Sequence, residues 1–465
     1  MPCFFWYGGL IAEVGMFVNN GRIAVRFKKN RMIEKEEELK RNISTWGLSA
    51  NLMNIMIGAG IFVLPAIVAA GLGSASVLAY LFCGLLIGLV MLCFAEIGSK
   101  ITHTGGAYAY IEGAFGRYFG FIAAVMFLVA TISADAAVAN TIVDILGSID
   151  PFFKGSIIKT LFFFLLFSGL GYINIIGVRE GVRLVKLITI AKIAPLVILI
   201  CMAWSQVEVT HLSWDVAPSV MDVGEISLVL FFAFQGAESG LSVSGEVKHP
   251  KRTIPRAIFI SIMAVLLLYI LIQTAAQGIL GDALGSYKEN PLGEVANKIF
   301  GPIGFSLMTI GAVVSMFGNL SSEILSMPRL LYSAAKDKVL PITLASRVHK
   351  KFATPYLAII IYVGLCFLFA SLGGFRQLAI ISSASILLIY LGVALAVVKL
   401  RKDDKRMPFS KNFRIPGGNS VPVLAIIVIL FFLSNLSYKE MTGIVAFIGF
   451  LSIIYHLLKQ ANQKR

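Results

Sequence analysis

Four ionisable side chains stand inside long apolar runs of this chain: Asp135 in ATISADAAVAN, Lys192 in ITIAKIAPL, Glu238 in FFAFQGAESG and Glu323 in FGNLSSEILSM. In a bilayer each would cost at least about 2.5 to 3.5 kcal/mol on insertion scales, so each is a candidate for holding substrate or a proton. A carboxylate there can meet a cationic group or carry a proton. A lone lysine needs a carboxylate partner, a role in losing its proton, or both. Static pairing of Lys192 with one carboxylate is the competing reading, and it would leave the pocket nearly neutral. Asp144 lies nearer the outer end of its run and reads as solvated.

Two glycine-bearing stretches must position these groups. Gly58 and Gly60 fall in NLMNIMIGAGIFVLPA (51–66), and Gly236 and Gly240 in FFAFQGAESGLSVSGE (231–246). Each glycine costs a helix interior about 1 kcal/mol relative to alanine. Backbone freed inside lipid finds no water, so an interrupted span survives only where it is buried in protein or lines a wet cavity. Freed N–H groups at the start of a second half-helix would hold a carboxylate. The other reading is that the glycines serve close helix packing. Two such breaks, one in each half of a many-spanning chain, point to a midplane site built on inverted repeats.

The composition supports a membrane setting independently. The 465 residues are 57% hydrophobic and 14% charged, with mean hydropathy +0.84, which excludes an ordinary soluble domain. Twelve spans are expected, at about 46–71, 75–98, 119–146, 156–177, 183–204, 225–245, 254–280, 302–333, 355–371, 377–399, 420–437 and 442–459. The net charge of +15 does not imply a nucleic-acid partner, because it is asymmetric. With both termini cytoplasmic, only Lys154, Lys159, Lys288, Lys298, Arg376 and Lys439 fall outside, and Lys192 lies within a span.

GAGIF in the first span, GGAYAY at 105–110, FFAFQGAE with EVKHPKRTIPRA, and RLLYSAAKDKVLP at 329–341 together resemble the amino acid, polyamine and organocation transporter superfamily, in order from about Trp46 to about His456. The resemblance implies an all-α integral membrane protein with an LeuT-type fold. It would have two inverted five-helix repeats, 46–204 and 225–399, two added helices over 420–459, and short cytoplasmic ends at 1–45 and 460–465. It also implies an amino acid permease of the cytoplasmic membrane that works by alternating access. Substrate carboxylate would meet the N–H groups of Ala59, Gly60 and Ile61, beside Gly58; its ammonium would meet the carbonyls of Ile57 and of residues in Phe231–Phe234.

By the same resemblance Phe232 closes the outer route, Ala233 and Gly236 lie in the unwound stretch, and Tyr108 lies near the intracellular route. Tyr108, Tyr110 and Tyr118 read alternatively as anchors of an interfacial helix. Lys192, three residues before Pro195, matches a lysine of proton-coupled members that stands where sodium-driven relatives hold sodium. Glu238 either couples protons or caps freed backbone amides. Asp135 and Glu323 both replace uncharged side-chain contacts of the arginine–agmatine antiporter branch, which argues for a cationic substrate such as a basic amino acid. Proton symport is the first expectation, with exchange of a basic amino acid for an amine or polyamine as the alternative.

Residues 1–31 are expected to lie outside the fold, with Met32 as the true start, because the apolar run is broken by Glu13 and too short to span. Five scattered cysteines and five scattered histidines imply neither disulfides nor a metal or other cofactor. A channel would need a TVGYG-like filter, and an enzyme an HExxH or GxSxG signature; the sequence has neither. A nutrient sensor on a transporter scaffold is the remaining rival.

Overall fold

Glycine, proline and short polar stretches divide the apolar runs, and the helices of the computed structural model end where they fall. The structure describes residues 3–7, 10–19, 22–29, 43–100, 106–177, 182–214, 217–241, 247–404, 414–415 and 417–463. The expected start at Met32, Gly105 of the GGAYAY stretch and most of the basic loop after Asp404 lie outside the described residues.

Residues 1–42 form a compact unit of their own. It contains three antiparallel strands in sequential order, β1 (Cys3–Tyr7), β2 (Leu10–Asn19) and β3 (Arg22–Lys29), with Cys3 opposite Val14 and Ala12 opposite Lys29. These strands differ from the expectation that 1–31 lies outside the fold, while the expected all-α architecture holds for the described regular elements from Ile43 onward. An apolar run broken by Glu13 and too short to span is still suited to paired strands by its β-branched and aromatic content.

From Ile43 onward the described regular elements are helical. They run as α1 (Thr45–Met56), α2 (Gly60–Leu72), α3 (Val77–Lys100), α4 (Gly106–Phe115), α5 (Arg117–Ile149), α6 (Ser156–Ile176), α7 (Val182–Ala203) and α8 (Val220–Leu230). There follow the one-turn α9 (Ala237–Gly240), α10 (Pro250–Leu280), α11 (Pro291–Lys336), α12 (Tyr356–Leu372), α13 (Phe375–Asp404), α14 (Ser420–Ser434) and α15 (Tyr438–Gln463). Among the described residues, eight helical stretches are long and apolar enough to cross a membrane; Lys192–Gln206, Tyr356–Leu372 and Ser420–Ser434 are shorter apolar helices.

Burial sorts these helices. The apolar windows of α5 and α13 are 67% buried within the protein, whereas that of α15 is 6% buried. The first two therefore form the centre and the last is outermost. α11 bends at Gly301, whose φ of 69° interrupts the helix before Pro302.

One buried ion pair ties the fold at one end. Arg401 of α13 forks onto Glu96 of α3, its Nε donating to Oε1 at 2.8 Å and a second nitrogen to Oε2. Glu96 Oε2 also accepts from Ile415 N at 2.9 Å, and Arg401 reaches Asn419 Oδ1 at 3.1 Å and the carbonyl of Gly418. Such bidentate geometry keeps a buried pair satisfied.

Candidate functional site

The first interruption opens where α1 ends. Ile57 leaves the helical region (φ −76°, ψ 86°), and no side chain caps the start of α2 at Gly60. The first N–H groups of α2 therefore lack intrahelical partners. Met56 O accepts from Gly58 N at 2.9 Å, which turns the chain tightly between the halves.

The second interruption follows α8. Phe231–Phe234 wind into a single 3-10 turn, Gln235 is extended, and Gly236 takes the left-handed conformation (φ 98°) before α9. A side chain at Gly236 would be strained by that φ, and its Cβ would meet Ile55 Cγ2 at 2.9 Å. In a 3-10 turn residues three apart share a face. Phe231 and Phe234 accordingly point together into the core, against Phe432 and Tyr269, while Phe232 and Ala233 border a cavity.

The two breaks touch. A Cβ on Gly60 would lie 2.8 Å from Ala233 Cβ and 2.9 Å from its Cα, so only glycine allows this approach. The cavity opens beside that contact, bounded by Gly58, Ala59 and Gly60 from one break and Phe232, Ala233 and Gly236 from the other. α5 contributes Thr131 and Asp135, α11 contributes Asn319 and Glu323, and Glu238 stands on the wall after the second break.

Three carboxylates thus face one cavity whose wall, among the described residues, holds no lysine or arginine. Their hydrogen bonding differs. Asp135, 1% exposed, accepts from the Tyr362 hydroxyl of α12 at 2.8 Å. Glu238 Oε2 accepts from the Tyr390 hydroxyl of α13 at 2.5 Å and from Gly236 N at 3.2 Å, so this carboxylate caps an amide of the break. Glu323 Oε2 is buried without a hydrogen-bond partner. A buried acceptor left unpaired costs about 1–3 kcal/mol, more if charged, which favours a donor entering from the cavity.

Lys192 is not among these groups. Its Nζ donates to the carbonyl of Asn54 at 2.9 Å, and it makes no ion pair among the described residues. The static lysine–carboxylate pair weighed from the sequence is therefore absent there. Instead the ammonium ties α7 to α1 less than one turn before the first break.

Phe232 packs edge-on against Phe375 at the start of α13 (5.5 Å, 86°), and Glu225 and Arg376 pair beside them at 2.9 Å. Tyr108 lies apart from the cavity on α4, 2% exposed. Burial, then the Asp337 and Glu112 carboxylates, push its phenol up to about 12. Tyr108 and Tyr110 are thus buried packing residues, unlike exposed interfacial anchors. The side chains of Ile57 and Ile61 are also buried away from the cavity, leaving only their backbone groups relevant there.

Sequence reasoning missed the tyrosine partners Tyr362 and Tyr390, and also Tyr269 of α10, whose hydroxyl lies 2.9 Å from Met56 O and 3.0 Å from Ala233 O. It missed as well the clasp on Gln235, whose amide accepts from Ser382 and donates to Ser383, both at 2.8 Å. Tyrosine and serine are common in membrane helices, so composition gave no signal. No three His, Cys, Asp or Glu side chains gather as a metal site among the described residues.

A family model described as amino acid permease matches residues 43–456. The chain is similar to the serine/threonine exchanger SteT of Bacillus subtilis, 30% identical over 85% of this chain and 91% of that protein. It is similar to the branched-chain amino acid permease BcaP of the same organism, 25% identical over 92% and 95% of the two chains. An arginine/ornithine antiporter of Pseudomonas aeruginosa is 27% identical over 66% of each.

Proposed function

This chain belongs to the amino acid permease family, within the amino acid, polyamine and organocation superfamily, and we propose that it carries a basic amino acid with a proton across the cell membrane. Its family makes it a multi-pass membrane transporter of amino acids rather than an enzyme. In the proposed arrangement twelve spans form two inverted five-helix repeats plus two helices, with both termini cytoplasmic. Substrate binds between the two breaks: its carboxylate on the N–H groups of Ala59, Gly60 and Ile61, its ammonium on carbonyls of the facing break.

The observation that carries the choice of substrate is a cavity walled by Asp135, Glu238 and Glu323 with no cation among them. Asp135 and Glu238 each have a tyrosine donor, whereas Glu323 Oε2 has none. A guanidinium or ammonium on the substrate side chain supplies the missing donor and charge. Phe232 closes the outer route against Phe375, and Tyr108 acts from outside the cavity, through the packing of α4.

Proton coupling is assigned to Lys192, with Glu238 as the second titrating group at the break. Charged, Lys192 bridges α7 to the carbonyl of Asn54; release of its proton weakens that tie and frees the first break to move. Exchange is the second reading, favoured by the names of two relatives, a serine/threonine exchanger and an arginine/ornithine antiporter. The test is uptake by purified protein in liposomes, comparing arginine, lysine and ornithine with leucine, serine and glutamate. Arginine uptake driven by an inward proton gradient is expected. Uptake that ignores the gradient and requires internal amino acid makes the protein an exchanger, and binding without any uptake makes it a sensor.

A further inference from the structure

A groove of about 310 Å³ runs between α6 and α12, apart from the cavity of the candidate site. Glycine opens it. A Cβ on Gly171 of α6 would stand 3.2 Å from Val363 Cγ2, whereas one on Gly364 of α12 would meet nothing within 4 Å. The helices therefore close on each other at the first position and part at the second. Phe167, 1% exposed, lies deepest in the groove. Ser168 turns its hydroxyl back to the carbonyl of Phe164 at 2.5 Å, so it presents no free donor there. Only 22% of the apolar window of α6 is buried within the protein, and Phe164 and Ile360 on the groove walls are half exposed. In a membrane transporter such a face meets lipid.

The two ends of the groove differ. At one, the rings of Phe164 and Phe367 meet edge-on (6.0 Å, 80°). Ile175 stands at the other. The eleven-residue step from Phe164 to Ile175 rises about 16 Å along the helix, which matches one leaflet of a hydrocarbon core about 30 Å thick.

A basic turn is fastened to the Ile175 end. The Thr354 hydroxyl donates to Ile175 O at 2.7 Å, and within the turn His349 N donates to Thr354 O at 2.8 Å and Ala353 N to His349 O at 2.9 Å. This turn carries Arg347, Lys350 and Lys351, all exposed, and residues 341–356 contain no Asp or Glu. None of the three cations makes an ion pair among the described residues. Tyr172, exposed on the groove wall within a turn of Ile175, is the amphipathic aromatic expected at headgroup level. Clustered lysines and arginines beside membrane helices attract anionic headgroups.

We propose that this groove binds an anionic phospholipid: one acyl chain lies between α6 and α12 along Phe167 and Gly364, and the phosphate headgroup rests on Lys350 and Lys351. The apolar length fits a single chain of one leaflet, and the charge stands at only one end. The site depends on the membrane setting and not on which amino acid is carried. Its chain packs against the same helix whose Tyr362 hydroxyl reaches Asp135.

The test is native mass spectrometry of the full-length protein released from detergent, with dioleoylphosphatidylglycerol and dioleoylphosphatidylcholine present in equal amounts. Wild type should retain one phosphatidylglycerol, preferred about tenfold over phosphatidylcholine. Gly364→Leu places a side chain in the open part of the groove and should lower that retention about tenfold, with the melting temperature near wild type. Lys350→Gln with Lys351→Gln leaves the groove open on an exposed turn, and should abolish the preference for phosphatidylglycerol even if Gly364→Leu proves unstable. Gly443→Leu, at an equally open glycine on the outermost helix α15, should change nothing. No preference in wild type, a preference that survives loss of both lysines, or an equal loss in Gly443→Leu overturns the proposal. A dimer mass that disappears in Gly364→Leu also overturns it, and gives the groove to a second copy of the chain.

Discussion

Gly60 and Ala233 are the point at which the two interrupted helices touch, and a Cβ on Gly60 would stand 2.8 Å from that of Ala233. Gly58, two residues earlier, faces the side-chain amide of Asn319, whose nitrogen would stand 3.5 Å from an added Cβ. The two glycines of one motif therefore have different tolerances. Gly60→Ala forces backbone apart and should cost about 1–3 kcal/mol as an overpacking change, with uptake reduced at least tenfold at equal expression. Gly58→Ala should keep uptake within about threefold of wild type, since its Cβ makes only an ordinary contact. Uptake assays on the two variants side by side decide this.

Glu323 should set selectivity for charge more than overall activity. Its Oε2 has no hydrogen-bond partner while facing the cavity. Glu323→Gln removes the charge and keeps the shape, so arginine uptake should fall roughly tenfold, in line with about 1.5–3 kcal/mol for a hydrogen bond to a charged group. Uptake of any neutral amino acid the wild type accepts should change less than threefold. Competition between labelled arginine and unlabelled leucine measures the shift.

Lys192→Ala should separate coupling from binding. The ammonium contacts the carbonyl of Asn54 and no wall of the cavity. The variant is expected to bind arginine within about threefold of wild type but to lose stimulation of uptake by an inward proton gradient. Retained stimulation assigns coupling to another group, with Glu238 the first to examine.

The Glu96–Arg401 pair should be a matter of stability alone. The two side chains are 1% and 10% exposed and lie on α3 and α13, away from the cavity. Arg401→Ala removes the bidentate partner of a buried carboxylate, a loss of up to about 3–5 kcal/mol, and should lower the melting temperature in detergent markedly. Arg401→Lys should recover only part of it, because an ammonium cannot reproduce the fork. KM measured on the surviving folded fraction should be unchanged.

The interruptions were legible because lipid makes them expensive: Gly58 with Gly60, and Gly236 in FFAFQGAE, are costly in a membrane helix without a reason. Asp135 and Glu323 were legible on the same ground, as charges in apolar runs, and both line the cavity. What the sequence could not supply was partnership. Tyr362 meets Asp135 across 227 positions and Tyr390 meets Glu238 across 152, and nothing local marks either tyrosine. Lys192 reads from sequence as needing a carboxylate partner, a role in losing its proton, or both, and its observed partner is a backbone carbonyl near an unwinding helix. Phe231 and Phe234 share the buried face of the 3-10 turn, away from the cavity that Phe232 and Ala233 border, and no side-chain pattern announced which face that would be. Tyr108 looked like a surface aromatic only because α4 was read as lying at the interface rather than packed beneath its neighbours.

In the proposed function, this cavity recognises a positive charge at the end of an amino acid. The most direct measurement is equilibrium binding of L-arginine and of L-citrulline, its neutral near-isostere, to the purified protein by titration calorimetry. Arginine is expected to bind at least tenfold more tightly, with the preference reduced several-fold in Glu323→Gln. Equal affinity for the two, or a preference for citrulline, would contradict it and make the three carboxylates proton carriers or structural groups.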